Sequence, residues 1–174
     1  IELGRSFVSV DYQKDTMALQ MLFKGLMYST MEFPEAEYFL GPVSTSNAYP
    51  MFYRSLMVYY FTNYMAYDGP KPFADAVHQP VRDYLRVNPE QLLCGKKDSV
   101  EKFDRLLAGI SNGEYRLPTL VKRYFKCGAK LICFNVDPLF NYSLDGLILQ
   151  PLKGYPESEL LPLLKGTDSE EEKE

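Results

Sequence analysis

The stretch from Leu117 to Leu152, LPTLVKRYFKCGAKLICFNVDPLFNYSLDGLILQPL, restricts the fold more than any other part of this chain. Leu117, Leu120, Val121, Tyr124 and Phe125 recur at helical spacing, Pro118 stands in the first turn and Gly128 closes the run. Lys130 to Val136 and Asp145 to Leu152 then read as two strands. Asp137 precedes a proline and Asp145 a glycine, so simple turn chemistry is the preferred reading of both, ahead of contact with a substrate amine.

Upstream, Ile1 to Val10 is rich in β-formers and alternates imperfectly, which predicts a strand. Asp15 to Thr30 carries Leu19, Leu22, Phe23 and Leu26 at helical spacing behind Asp15 as N-cap. Glu37 to Ser44 reads as a second strand. Gly41-Pro42 marks it as an edge or a bulge, because proline donates no ladder hydrogen bond. Pro50 to Ala66 predicts an aromatic helix. Asp68 to Pro89 is a proline-punctuated insertion, longer than a compact domain usually tolerates without a use. Lys97 to Ile110 has Val100, Phe103, Leu106, Leu107 and Ile110 on one face, with Asp98 and Glu101 as the expected capping box and Asn112-Gly113 as the stop.

Charge and composition exclude several functions. The formal net charge is −4, and the final eight residues, TDSEEEKE, carry all of it. That leaves an electrically neutral body, without the basic face that nucleic-acid binding requires. The acidic end, 167–174, is expected to be a disordered tail behind one domain over 1–166. A single histidine and no Cys-x-x-Cys give no zinc site, and His78 reads as a surface or packing residue. Three unpaired cysteines fit a reducing cytoplasm, and Cys133 reads as a small core residue rather than a nucleophile. The apolar run Ser55 to Tyr67 is 13 residues long, short of the ~20 that cross a bilayer. It is read as a core helix.

Three pieces together carry a resemblance: Glu2-x-Gly4-Arg5, the Leu117-Pro118-x-Leu120-x-x-x-Tyr124 helix ending in Cys127-Gly128-Ala129, and Asn135-Val136-Asp137-Pro138-x-Phe140 leading into Leu144-Asp145-Gly146-Leu147. Their order and spacing resemble the bacterial N-acyltransferases of ornithine-lipid and glycine-lipid synthesis, often labelled hemolysins. That family is similar to acyl-homoserine lactone synthases and GNAT acetyltransferases. The resemblance implies an α/β (α+β) GNAT-like fold, here its carboxyl-terminal half, with a mixed sheet flanked by helices. It also implies that the family's first half belongs upstream, in a longer protein. Strand Ile1 to Val10 would then present an unpaired edge with no lysine or proline to protect it, and the fragment is expected to form a homodimer there.

In that family an amine attacks the thioester of an acyl-phosphopantetheine arm on acyl carrier protein. The resemblance places Glu2 as base or amine orienter and Arg5 as a positioning group; an ordinary ion pair between them is the alternative. Two splayed strands would admit the pantetheine, with Ser6, Phe7, Val8 and Ser9 on one side and Gly41, Val43 and Ser44 on the other. The segment VDYQKDTMA after the first strand contains no glycine for a pyrophosphate loop, which favours a carrier-protein donor over CoA. No bound cofactor is expected. Arg116, Lys122, Arg123, Lys126 and Lys130, with no acid among them, form the candidate docking face for an acidic carrier protein, with an ordinary solvated helix face beside the apolar stripe as the alternative. An amino-acid acceptor and a place beside the cytoplasmic face of the membrane complete the expectation. A non-catalytic docking module attached to a lysophospholipid acyltransferase domain is the alternative. Acyl-homoserine lactone synthesis fits the long insertion and the Asn135-Val136-Asp137-Pro138 turn less well.

Overall fold

The computed structural model describes residues 1–4, 9–12, 15–69, 74–80 and 85–153. Its elements in chain order are α1 (Thr16–Glu32), β1 (Tyr38–Thr45), α2 (Met51–Tyr64), α3 (Pro89–Leu92), α4 (Val100–Ile110), α5 (Thr119–Lys126), β2 (Lys130–Asp137) and β3 (Ser143–Pro151), with 3-10 turns at Val10–Tyr12 and Pro138–Phe140. This is a mixed α/β fold with a small three-stranded sheet flanked by helices, consistent with half of a GNAT-like domain. The chain divides into two compact units. One is Leu40–Gln150, and the other is Ile1–Phe39 with the described residues from Pro151 on.

In the larger unit the strands lie in the order β1-β3-β2. Strands β2 and β3 are antiparallel, pairing Asp137 with Ser143 at the turn and Lys130 with Leu149 at the far end, with a bulge between Leu131 and Cys133. The turn is built as its residues dictate. Asp137 accepts hydrogen bonds from the Leu139 and Phe140 N–H groups, while Asn141 and Tyr142 take left-handed φ values of 50° and 54°. Asp137 is therefore turn chemistry, as the sequence suggests.

The free edge of β2 is covered by the chain itself. Tyr67 N–H donates to Leu131 O and Leu131 N–H to Met65 O, both at 2.8 Å, so the segment leaving α2 forms a short parallel bridge to β2. Farther along, Val136 N–H donates to His78 O at 2.8 Å and His78 N–H to Asn135 Oδ1 at 2.8 Å. The proline-rich insertion thus has a structural use: it caps a strand edge that would otherwise invite pairing. Among the described strands β1 stands at the other end of the order, where Pro42, which has no N–H to donate, is tolerated.

Helix α2 runs through the middle of the core. Tyr60 stacks on Phe103 of α4 with ring centroids 3.9 Å apart, and Phe61 meets Phe125 of α5 at 4.2 Å. Leu56, Met57, Leu107, Leu117, Val121, Leu131 and Ile148 belong to the same cluster. Ser55 to Tyr67 is therefore the core helix expected, with Leu56, Met57, Val58, Tyr60 and Phe61 all buried. Helices α4 and α5 are joined by Asp104, whose 2% exposed carboxylate accepts from Leu117 N–H at 2.9 Å and from Lys122 Nζ at 2.6 Å. Gly128, at φ 87°, ends α5 in the left-handed cap read from the sequence.

The capping of α4 departs from expectation. Ser99, not Asp98, is the N-cap: its hydroxyl oxygen accepts from Lys102 N–H at 3.3 Å and its O–H donates to Glu101. Asp98 instead pairs with Lys102 one turn on. Serine wins because its short hydroxyl sits directly before the first helical residue.

In the smaller unit Asp15 caps α1, accepting from Met17 N–H at 2.8 Å, and Phe23 is its buried residue. The other side of α1 is also apolar and stays exposed at Met17, Met21, Tyr28 and Met31. The strand expected over Ile1 to Val10 does not extend to its end. Val10–Tyr12 is a 3-10 turn closed by Tyr12 N–H to Ser9 O. Polar Asp11 and the N-cap at Asp15 draw this segment toward helix, overriding the β propensity of Val10. Residues 5–8 of the same expectation lie outside the described residues, as does the acidic tail.

Candidate functional site

Helix α2, MFYRSLMVYYFTNY, contains one charge, Arg54, in a segment that is otherwise apolar, aromatic or neutral. Burying the helix therefore buries an arginine, which as a residue is 8% exposed. Two neutral oxygens receive it. Arg54 Nη1 donates to Asn47 Oδ1 in the turn before α2, and Nη2 donates to Tyr142 O at 2.8 Å, at the tip of the β2–β3 hairpin. The left-handed backbone at Tyr142 turns that carbonyl toward the helix. Among the described residues no carboxylate forms an ion pair with Arg54. Burial pulls its pKa below the ordinary guanidinium value. Even so, an arginine stays charged, with five N–H donors in a planar fork.

The guanidinium lines a cavity of about 390 Å³. Met51, Val58, Val136, Pro138 and Leu144 supply apolar walls, and Asn47, Ser55, His78 and Gln79 add polar groups. His78, read from the sequence as a surface or packing residue, is exposed, and its backbone docks on β2 while the residue itself borders this cavity. A second cavity of about 500 Å³ shares Ser55 and Val58 with the first and is also lined by Tyr59, Asn63, Leu85 and Pro89. Its far wall is pinned by Glu90, which accepts from the Tyr59 and Tyr64 hydroxyls and pairs with Lys97. Lys97, then Tyr64 and Tyr59, hold the Glu90 carboxyl down to about 2. Both cavities lie against α2, and the first, mainly apolar, has one cation in its wall, which suits an apolar group ending in an oxyanion.

None of the expected acyl-site residues is among those that line the first cavity. Glu2 is exposed in the smaller unit, where the Ile1 amino group donates to Tyr38 O at 2.9 Å. Ser9 is exposed beside the 3-10 turn, and Arg5, Ser6, Phe7 and Val8 lie outside the described residues. Gly41 and Val43 are buried in β1, and Val43 belongs to the core cluster. Ser44 faces outward, beside Ser46, Asn47 and Leu139 in a shallow depression.

Of the basic group, Lys122 pairs with Asp104 at 2.6 Å, Arg116 with the same carboxylate at 3.4 Å and Lys126 with Glu101 at 3.6 Å. Arg123 and Lys130 are half-buried. Between 116 and 130 the sequence has no acid, but α4 brings two acids across to this face. Cys133 carries no sign of activation: burial, then the charge of Asp75, pushes its thiol pKa up. Among the described residues no cluster of histidine, cysteine or acidic side chains could hold a metal, and no helix is long and apolar enough to cross a membrane.

Sequence reasoning missed Arg54 and Asn47. The signal was present as one arginine in an apolar helix, since a charge among core positions must be paired or used.

Comparison with known proteins gives one relative. The chain is 28% identical over 143 residues to a protein of Bacteroides thetaiotaomicron named Glycine N(alpha)-acyltransferase. The match covers 78% of this chain and 41% of that protein, so the chain spans less than half the length of the relative it matches. No family model matches the chain, and no solved structure does.

Proposed function

We propose that this chain is part of an N-acyltransferase that moves a fatty acyl group, of the 3-hydroxyacyl type in the aminolipid branch, from acyl carrier protein to the amine of an amino acid. The observation that carries this reading is the alignment over 78% of the chain with a protein named for glycine N-acylation. The mainly apolar cavity beside α2, with Arg54 in its wall, supports it chemically.

In this reaction the acceptor amine, once deprotonated, attacks the thioester carbonyl. A C–N bond forms, the C–S bond breaks, and the thiol leaves with a proton. Glu2 is the proposed base for the ammonium proton, with Arg5, three residues on in the sequence, as a positioning group. Backbone N–H groups near Gly41 to Ser44 would steady the oxyanion of the tetrahedral intermediate, with the pantetheine arm running beside them. An acyl carrier protein docks on the face of α5, steered by the basic residues there.

A membrane role has its own support. At the hairpin tip Leu139 is 97% exposed and Phe140 65%, next to Pro138 and Tyr142 in the cavity wall. An exposed apolar tip beside a lipid-shaped cavity suits delivery of product to a bilayer at the cytoplasmic face. The test is lipid extraction and mass spectrometry of cells with and without the gene. The reading expects a gene-dependent acylated amino acid, and identical lipid profiles would overturn it.

A further inference from the structure

We infer that Arg54 and Asn47 form a carboxylate subsite that holds the α-carboxylate of the amino-acid acceptor while the acyl chain lies along α2. The identity of the ligand rests on the acyltransfer reading above. Its charge rests on the cavity alone.

A guanidinium removed from water is stable only when its donors and its charge are both answered. Here two N–H groups are answered by neutral oxygens, Asn47 Oδ1 and Tyr142 O. The charge meets no carboxylate among the described residues. A purely structural role, fastening the hairpin tip to α2, would be met as well by a neutral donor at lower desolvation cost. What an arginine adds is a planar, charged fork that matches a carboxylate.

Asn47 fixes the fork. Its side-chain oxygen engages Nη1, and the Tyr142 carbonyl engages Nη2, so the guanidinium plane is held from two directions before any ligand arrives. Such preorganisation favours binding because little side-chain freedom remains to be lost. Beyond the fork the walls are Met51, Val58, Val136 and Leu144, and Val58 with Ser55 also lines the second cavity. A charged head against an apolar passage is the shape of an N-acyl amino acid, product and acceptor sharing the same carboxylate.

The test is direct binding to the whole protein, measured calorimetrically with N-octanoylglycine and its uncharged analogue N-octanoylglycinamide. The wild-type protein is expected to prefer the acid by tenfold or more, as loss of a charge-assisted pair implies. Arg54→Gln should bind acid and amide alike, and Arg54→Lys should restore part of the preference. Equal binding of acid and amide by the wild type would overturn the inference, and so would an acid preference that survives Arg54→Gln. The wild-type comparison decides even where a variant folds poorly. Because binding needs no turnover, an acid preference in a protein with no transferase activity would refute the proposed reaction and leave the subsite standing. Activity without the preference would do the reverse.

Discussion

Replacing Asp104 with alanine should destabilise the protein by about 2–4 kcal/mol, and the structure says where that comes from. The carboxylate is 2% exposed and accepts the Leu117 N–H, itself buried, at 2.9 Å. Leaving that donor unpaired costs about 1–3 kcal/mol. The pairs with Lys122 and Arg116 add less, because those side chains are 34% and 59% exposed and solvent screens them; about 1 kcal/mol is a fair allowance. Asp104→Asn keeps an oxygen for Leu117 and loses only the charge, so it should cost about 1 kcal/mol.

Acid titration of Asp104 supplies a second readout. Burial alone would raise its pKa, but the Lys122 ammonium, the Leu117 N–H and the charges of Lys122 and Arg116 outweigh it and hold the pKa below the ordinary value. A carboxyl depressed in the folded state contributes stability that is fully present above its unfolded pKa of about 3.9 and is lost as pH falls through the folded one. Urea unfolding followed by circular dichroism from pH 7 down to pH 2 should therefore show the gap between wild type and Asp104→Asn closing below about pH 4. Alanine and asparagine variants of equal stability, or a gap that persists to pH 2, would refute this account of the α4–α5 joint.

Three further outcomes are expected. Tyr60→Phe should leave stability unchanged or raise it by about 1 kcal/mol, since the buried Tyr60 hydroxyl has no hydrogen-bond partner among the described residues; a clear loss in urea midpoint would count against it. Glu2→Gln in the whole protein should lower turnover by roughly 100-fold without unfolding it, and unchanged turnover would remove Glu2 from the mechanism. Lys126→Glu should raise the KM for acyl carrier protein, most at low salt. This residue is the better probe of the proposed docking face because Lys122 also holds buried Asp104. A salt-independent effect would return α5 to an ordinary solvated face.

What could be read from the sequence was local. The α5 stripe, its glycine stop and the two following strands rest on periodicity and one left-handed position, Gly128 at φ 87°, and they appear within a residue or two of expectation. The same is true of the Asp15 cap and of Pro42 on an edge strand. What stayed hidden was made by distant parts of the chain. Asp104 reaches Lys122 across 18 positions, so a run without acids became a partly neutralised face. Arg54 meets Tyr142 across 88, and no spacing rule links them. The use of the insertion at His78, covering the β2 edge, likewise depends on a pairing that sequence pattern does not encode.

The central claim, acyl transfer to an amine, is tested most directly by incubating the purified whole protein with acyl-loaded carrier protein and glycine, then identifying products by mass spectrometry. The account predicts an N-acyl amino acid and one equivalent of free carrier thiol for each product formed. Absence of any acylated amine from either carrier-protein or CoA thioesters, with glycine and the other amino acids supplied, would contradict it.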